Sequence, residues 1–236
     1  MSNLDCKQLL TTLKIMEDPV RAQHSLRFFK TGKGEYGQGD VFAGLKVGEC
    51  RELVKKFHNL TYPEIQKALD NKYHEARLIG LLLLVQRFRK GDEKEKKLIY
   101  DMYLRNTKRI NNWDLVDVTA DRIVGAYLFN KDKATLDKLA KSKILWERRI
   151  AIMATFWFIY KGEFKKTFEI AEILINDKED LIHKAVGWML REIGKRGGLK
   201  EEEEFLQNHK RMPRTVLRYA IEKFPEEKRQ WYLKTN

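Results

Sequence analysis

The sequence predicts an all-α fold, an α-solenoid of helical-hairpin repeats, and three observations carry that reading. Apolar residues recur at helical spacing, as in Leu98 with Met102 and Ile170 with Ile173 and Leu174, while period-two alternation over a useful length is absent. Of the four prolines, Pro19, Pro63 and Pro213 fall where helical patterns begin, the position at which a missing N–H costs least. The helical segments pair off, and the second member of each pair begins about 35 residues after the last, a period of helical repeat arrays.

Residues 1–60 are read as N-terminal helices followed by a glycine-rich loop. A helical pattern opens near Pro19 and ends at Arg27-Phe28-Phe29-Lys30. The loop that follows contains Gly32-Lys33-Gly34-Glu35-Tyr36-Gly37, which has the G-x-G-x-x-G spacing of a dinucleotide-binding turn. That turn requires a strand before it and a helix opening directly after it. Here a helical pattern precedes it and Gln38-Gly39-Asp40 continues the loop, so no cofactor is expected.

From residue 61 to 236 the chain reads as helical pairs: 61–71 with 73–90, 92–106 with 111–129, 131–142 with 145–160, 163–175 with 178–195, and 199–208 with 213–224. Thr61 and Glu64 form a capping box at the first of these. The second helices are the more apolar, as in LIGLLLLV and IAIMATFWFIY, and a helix apolar nearly all round is buried between neighbours. Aligning them brings Arg77, Trp113, Arg149 and Lys184 into one column, at spacings of 36, 36 and 35 residues. Such a column either presents cations to a phosphate chain or serves packing at the start of each inner helix.

Lys and Arg number 47 against 34 Asp and Glu, a net charge of +13 that points to nucleic acid or another anionic surface. Two cysteines, Cys6 and Cys50, make neither a disulfide framework nor a metal set and suit a reducing cytoplasm. The N-terminal segment lacks the pattern of a secretory signal. Leu78 to Val85, the longest apolar stretch, is too short to span a bilayer, so no membrane partner is expected.

Five histidines, 24, 58, 74, 183 and 209, show no metal-ligand spacing, and no Ser/His/Asp arrangement can be assembled. The run Glu201 to Glu204 reads as a solvated first helical turn. In Trp113-Asp114-Leu115-Val116-Asp117 the outer pair are four apart, hence on one helix face. Asp114 reads as a cap or first-turn carboxylate, whereas Asp117 sits mid-turn among apolar residues beside a tryptophan. An ion pair with an arginine of a neighbouring repeat is the plain alternative for Asp117. Trp188 and Arg191 share a face in a second cluster, and Trp146-Glu147-Arg148-Arg149 opens the helix between the two.

Four segments, in this order and at these separations, resemble the AlkD-like DNA alkylation repair glycosylases, which are built from HEAT-like helical repeats. They are FFKTGKGEYGQGD (Phe28–Asp40), WDLVD (Trp113–Asp117), WERRIAI (Trp146–Ile152) and KAVGWMLREIGK (Lys184–Lys195), and the resemblance covers nearly the whole chain. It implies a monomeric enzyme, without metal or cofactor, that hydrolyses the N-glycosidic bond of N3- or N7-alkylated purines in duplex DNA. It also implies a concave basic cleft in which the damaged base stays stacked. Asp117 matches the catalytic carboxylate, and Trp113 and Trp188 match the aromatics that frame the lesion's sugar. Arg149 and Arg191 match arginines that grip the backbone, and Lys30, Lys46, Arg51, Arg77 and Lys184 complete the DNA-binding candidates. Gly48 stands where the family often opens a helix with proline, which bears on the contacts of Lys46 and Arg51. The other functions open to such a chain are a non-catalytic nucleic-acid binder and a protein-binding scaffold.

Overall fold

A computed structural model describes residues 4–235; residues 1–3 and 236, which the expected segment bounds take in, lie outside it. Among the described residues the chain is helical, and the sole β feature is an isolated bridge between Val41 and Tyr73. Two compact units divide it, Met1–Thr119 and Ala120–Asn236.

The first unit holds α1 (Cys6–Ile15), α2 (Pro19–Phe28), α3 (Val47–Lys56), α4 (Tyr62–Leu69), α5 (His74–Lys90), α6 (Glu93–Arg105) and α7 (Trp113–Asp117). Its core gathers on α5, where Ile79, Leu81, Leu83 and Leu84 are wholly buried and meet Leu53 of α3 and Ile65 and Leu69 of α4 in the same interior. Thr61 caps α4 by accepting from the Glu64 N–H, but Glu64 does not return the bond. Its carboxylate accepts instead from the Cys6 N–H at 2.7 Å and so caps α1, 58 residues away. Half of the expected capping box has become a tertiary tie.

The second unit begins with a π-helical turn, Asp121–Gly125, that runs into α8 (Ala126–Leu128). It continues through α9 (Ala134–Ala140), α10 (Leu145–Ala154), α11 (Phe156–Tyr160), α12 (Lys165–Leu174), α13 (Asp180–Lys195) and α14 (Leu199–Asn208). α15 (Arg214–Ala220) tightens into a 3₁₀ turn (Ile221–Lys223) before α16 (Glu226–Thr235) closes it. α13 is the central member and packs against α10, α12, α14 and α15 through Ile182, Ala185, Val186, Met189, Leu190 and Ile193. The helical pairs therefore stand close to their expected bounds, with one addition: the fourth proline, Pro225, opens α16 by accepting from the Arg229 N–H.

Two of the expected inner helices are broken, each at a threonine. Instead of one helix over 111–129, α7 stops at Asp117, because the Thr119 hydroxyl donates to the Leu115 carbonyl at 2.5 Å. With that carbonyl engaged, the Thr119 N–H turns to Val116, at 3.1 Å. The helix over 145–160 breaks at Thr155, whose hydroxyl donates to Ile152 at 2.7 Å. Such back-bonding competes with the main-chain ladder and bends helices.

Candidate active site

The five-residue helix α7 carries Trp113 and Asp117, and the loop between α2 and α3 holds its start in place. Asn112 caps α7 through its side-chain oxygen, which accepts from the Trp113 N–H at 2.9 Å. The side-chain amides of Asn111 and Asn112 reach Asp40 at 2.7 and 3.4 Å. Gly37 is the close-approach point, since a β-carbon there would lie 2.5 Å from the Phe29 carbonyl oxygen and 3.4 Å from the Asn112 amide. The loop's free amides at Gly32 and Gly34 are taken by the side chains of Glu35 and Gln38, at 2.8 and 2.7 Å. The glycine string thus delivers Asp40 to the base of α7.

Behind Trp113 stands a stack of rings. Trp113 lies 5.3 Å from Phe29, nearly parallel to it, and 5.7 Å from Phe28, edge to face. Phe29 stacks on Phe42 at 4.9 Å, and Phe42 stacks on His74 at 4.6 Å. Contacts of this kind are directional and lock a ring's orientation. Trp113 itself is half-buried, as is Asp117 at the end of the helix.

Below the rings lies a buried charged network. His74 Nε2 meets the Asp114 carboxylate at 2.7 Å and Nδ1 meets Asp40 at 3.4 Å. Arg77 donates to the other Asp40 oxygen at 2.7 Å. Burial opposes the charged imidazole, but Asp114 and Asp40 outweigh it and lift the His74 pKa to about 9. Burial likewise pushes Asp40 upward, and His74, Arg77 and Asn111 together hold it below the ordinary carboxylate range. Asp114 does lie in the first turn, as expected, but its task is to bind the imidazolium.

Arg77, expected among the DNA contacts, lies inside the first unit. It is 4% exposed, and besides Asp40 it donates to the carbonyls of Asn71 and Lys72, so its guanidinium serves the fold. Lys30, Lys46 and Arg51 stand on the surface of the same unit. Gly48 occupies the second position of α3, preceded by Lys46, whose N–H donates to Glu49 at 2.5 Å. The helix opens there without a proline.

In the second unit, α13 carries Trp188, Arg191 and Lys184. The Trp188 Nε1 donates to Glu192 at 3.3 Å, and Phe156 of α11 lies 6.4 Å from its ring. Arg191 binds Glu222 and also Glu192. Glu192, 4% exposed, joins these to Lys195 and Arg196. Burial works against its carboxylate, but Arg196 and Lys195 keep the pKa low. Lys184 pairs with Asp180 at 2.7 Å. Arg149, expected to grip the DNA backbone, is 5% exposed and donates to the Leu181 carbonyl. Its neighbour Arg148 is also buried and bonds Asp177 at 2.6 Å. Burial of Arg77 and Arg149 favours the packing alternative for those two members of the column.

Sequence reasoning missed Asp40, His74, Phe29, Phe42 and Glu192. Asp40, His74, Phe29 and Phe42 act through contacts far apart in the chain, whereas Glu192 bonds Trp188, Arg191, Lys195 and Arg196, all within four residues, a local spacing that could have shown it. Among the described residues no group of three or more His, Cys, Asp or Glu side chains is placed to hold a metal ion, and no helix is long and apolar enough to cross a membrane.

A sequence model of the DNA alkylation repair enzyme family matches residues 9–224. The chain belongs to that family. A solved structure of a predicted DNA alkylation repair enzyme from Enterococcus faecalis superposes with a TM-score of 0.68 at 17% identity, covering 89% of this chain and 98% of that one. At that identity the likeness establishes the fold, an all-α array of helical repeats. No curated protein matches the sequence.

Proposed function

We propose that this DNA alkylation repair family member is a glycosylase that hydrolyses the N-glycosidic bond of N3- or N7-alkylated purines in duplex DNA. The observation that carries the proposal is the half-exposed pair Trp113 and Asp117 on a short helix buttressed by a ring stack and a buried ion network. Catalytic groups act best when their supports leave them nothing to reorganise.

Alkylation at N3 or N7 makes the purine cationic, so it departs as a neutral base without being protonated. The reaction therefore asks little of the protein. As the bond lengthens, the sugar becomes oxocarbenium-like, with positive charge at the anomeric carbon. An ionised Asp117 stabilises that charge and orients the attacking water. Trp113 presents an electron-rich face to the same cation. On the resemblance to the AlkD-like glycosylases, the lesion remains stacked in the duplex, unlike in enzymes that flip it out.

Trp188 and Arg191 belong to the second unit and enter the proposal on the resemblance alone, Trp188 as the second aromatic and Arg191 as a backbone contact. DNA contacts in the first unit fall to Lys30, Lys46 and Arg51, and Lys184 adds one in the second. The substrate is double-stranded DNA, and the enzyme acts as a monomer in the cytoplasm without metal or cofactor. Release of free 7-methylguanine from alkylated duplex DNA by the purified chain tests the proposal. Salt-sensitive DNA binding with no release would leave a non-catalytic binder, and salt-insensitive capture of a protein partner would leave a scaffold.

A further inference from the structure

The guanidinium proposed to grip the DNA backbone from α13, that of Arg191, is already held by two carboxylates of the second unit. α15 runs beside α13 and brings one of them. At the start of the two helices the Thr215 hydroxyl donates to Asp180 at 2.9 Å. Further along, α13 offers Gly187, where a β-carbon would lie 2.5 Å from that of Tyr219, so the helices approach closely there. About one turn beyond, α15 tightens into the 3₁₀ turn, whose Ile221 is wholly buried, and the Arg191 Nη1 donates to Glu222.

The two carboxylates differ in how firmly they are placed. The Glu192 side chain is 5% exposed and also accepts from Trp188, Lys195 and Arg196, while the Arg191 Nη2 reaches it at 3.4 Å. The Glu222 side chain is 45% exposed, and its other partner is the adjacent Lys223 at 2.8 Å. Lys223 and Arg191 hold its carboxyl below the ordinary glutamate range, so it is charged at neutral pH. Glu202 of α14 also stands near Arg191, and it overturns the expectation of a solvated acidic turn. It is 1% exposed, packed where Gly194 leaves no room for a β-carbon. Burial, then the charge of Glu203, raises its pKa to about 8, so at pH 7 it is mostly the neutral acid. Arg191 thus has one fixed counter-charge, Glu192, and one that can yield, Glu222.

We propose that Glu222 is a built-in competitor of the DNA phosphate, holding the Arg191 Nη1 in the free protein and giving way when the backbone docks. The proposal rests on the reading of Arg191 as a backbone contact. Carboxylate and phosphate oxygens both accept charge-assisted bonds from a guanidinium, so one can replace the other at the same nitrogen. The Glu192 contact keeps Arg191 in place during the exchange, and Lys223 remains beside the displaced carboxylate. A half-exposed ion pair is weak, so Glu222 lowers DNA affinity by a few-fold without abolishing it. Phosphate contacts are the same on damaged and intact duplex. The competitor therefore shortens residence on intact DNA and leaves Trp113 and Asp117 untouched.

Anisotropy titration of the intact chain with an undamaged, end-labelled duplex tests this, and it requires no excision. At about 0.15 M salt, exposed charges farther apart than roughly 8 Å are screened, so a distant carboxylate counts for little. Glu222→Gln changes an exposed side chain and should melt close to the wild type. It should tighten binding about fivefold and steepen the salt dependence by about one contact. Arg191→Ala should weaken binding, and Glu222→Gln added to it should give no gain. Added to Lys223→Ala, Glu222→Gln should give the full gain. Unchanged or weaker binding by Glu222→Gln, alongside a loss in Arg191→Ala, overturns the inference and leaves Arg191 on the DNA. No loss in Arg191→Ala removes that contact and the inference with it. A gain that survives in Arg191→Ala is a general charge effect, and one that vanishes in Lys223→Ala makes Glu222 the competitor of that lysine; either result also overturns the inference.

Discussion

Replacing His74 with glutamine tests whether the ion network beneath α7 is what holds it. In the wild type the imidazolium binds Asp114 at 2.7 Å and Asp40 at 3.4 Å, with a pKa of about 9 in place of 6.5. At roughly 1.4 kcal/mol per pKa unit, that preference for the charged form stabilises the folded state by about 3 kcal/mol. The direction follows from the elevation. The contribution is complete below pH 6.5, declines as pH rises, and is lost above pH 9. Glutamine removes the charge at every pH and leaves Asp114 without its cation, a loss of about 3–5 kcal/mol when one partner of a buried pair is deleted. Denaturant unfolding of both proteins from pH 6 to 10 gives the comparison. The difference in stability should be largest at pH 6 and should shrink by about 3 kcal/mol by pH 9.5. Glu202 also titrates in this range, but it is present in both proteins and cancels. A difference that does not change with pH would refute a charged His74.

Arg77→Ala should behave as a core lesion and lower stability by about 3–5 kcal/mol, because Asp40 loses a buried partner, whereas Lys46→Ala and Arg51→Ala should leave stability within about 0.5 kcal/mol. The two lysine-side and arginine-side surface changes should instead flatten the salt dependence of DNA binding by about one contact each, read from filter or anisotropy titrations at several salt concentrations. Glu202→Gln should be more stable than wild type at pH 8.5 but not at pH 4.5. The buried carboxyl, with its pKa raised to about 8, contributes fully below its ordinary value near 4.5 and loses that contribution as pH rises through 8. Thermal melts at the two pH values check this, and an unchanged difference between the proteins would contradict a neutral buried Glu202.

The helical pairs were legible because their signals are local. Apolar spacing and prolines placed α4, α5, α13 and α14 within a few residues of where they stand. The breaks at Thr119 and Thr155 depend on which carbonyl a hydroxyl chooses, and a threonine inside an apolar run does not announce that choice. α16 escaped because only Tyr232 of its residues is buried, leaving almost no apolar face to read. In the candidate site, Trp113 and Asp117 could be read from one short segment. Their supports could not, since Asp40, His74 and Asn111 lie 34 to 71 residues apart and meet only once the chain has folded. Arg77 and Arg149 show the converse case, a surface read from a repeat interval where the side chains are buried. A cation repeated at a constant interval suggests a charged surface, but the same position in a packed repeat anchors carbonyls and carboxylates. Glu202 lies in a four-residue acidic run whose other members are exposed or half-exposed, so only packing against Gly194 distinguishes it.

Asp117 is proposed to act on charge developing in the sugar, and Asp117→Asn isolates that role. Asparagine is nearly isosteric, so α7 and the ring stack behind Trp113 should remain as they are, while the negative charge is lost. Excision of 7-methylguanine from alkylated duplex DNA, measured under single-turnover conditions, should slow by roughly 10²–10³-fold, as on loss of one preorganised electrostatic group. DNA affinity should hold or rise slightly, because a carboxylate near a polyanion has been removed. A variant that melts several degrees early yet releases 7-methylguanine at close to the wild-type rate would contradict the claim and assign Asp117 to the fold.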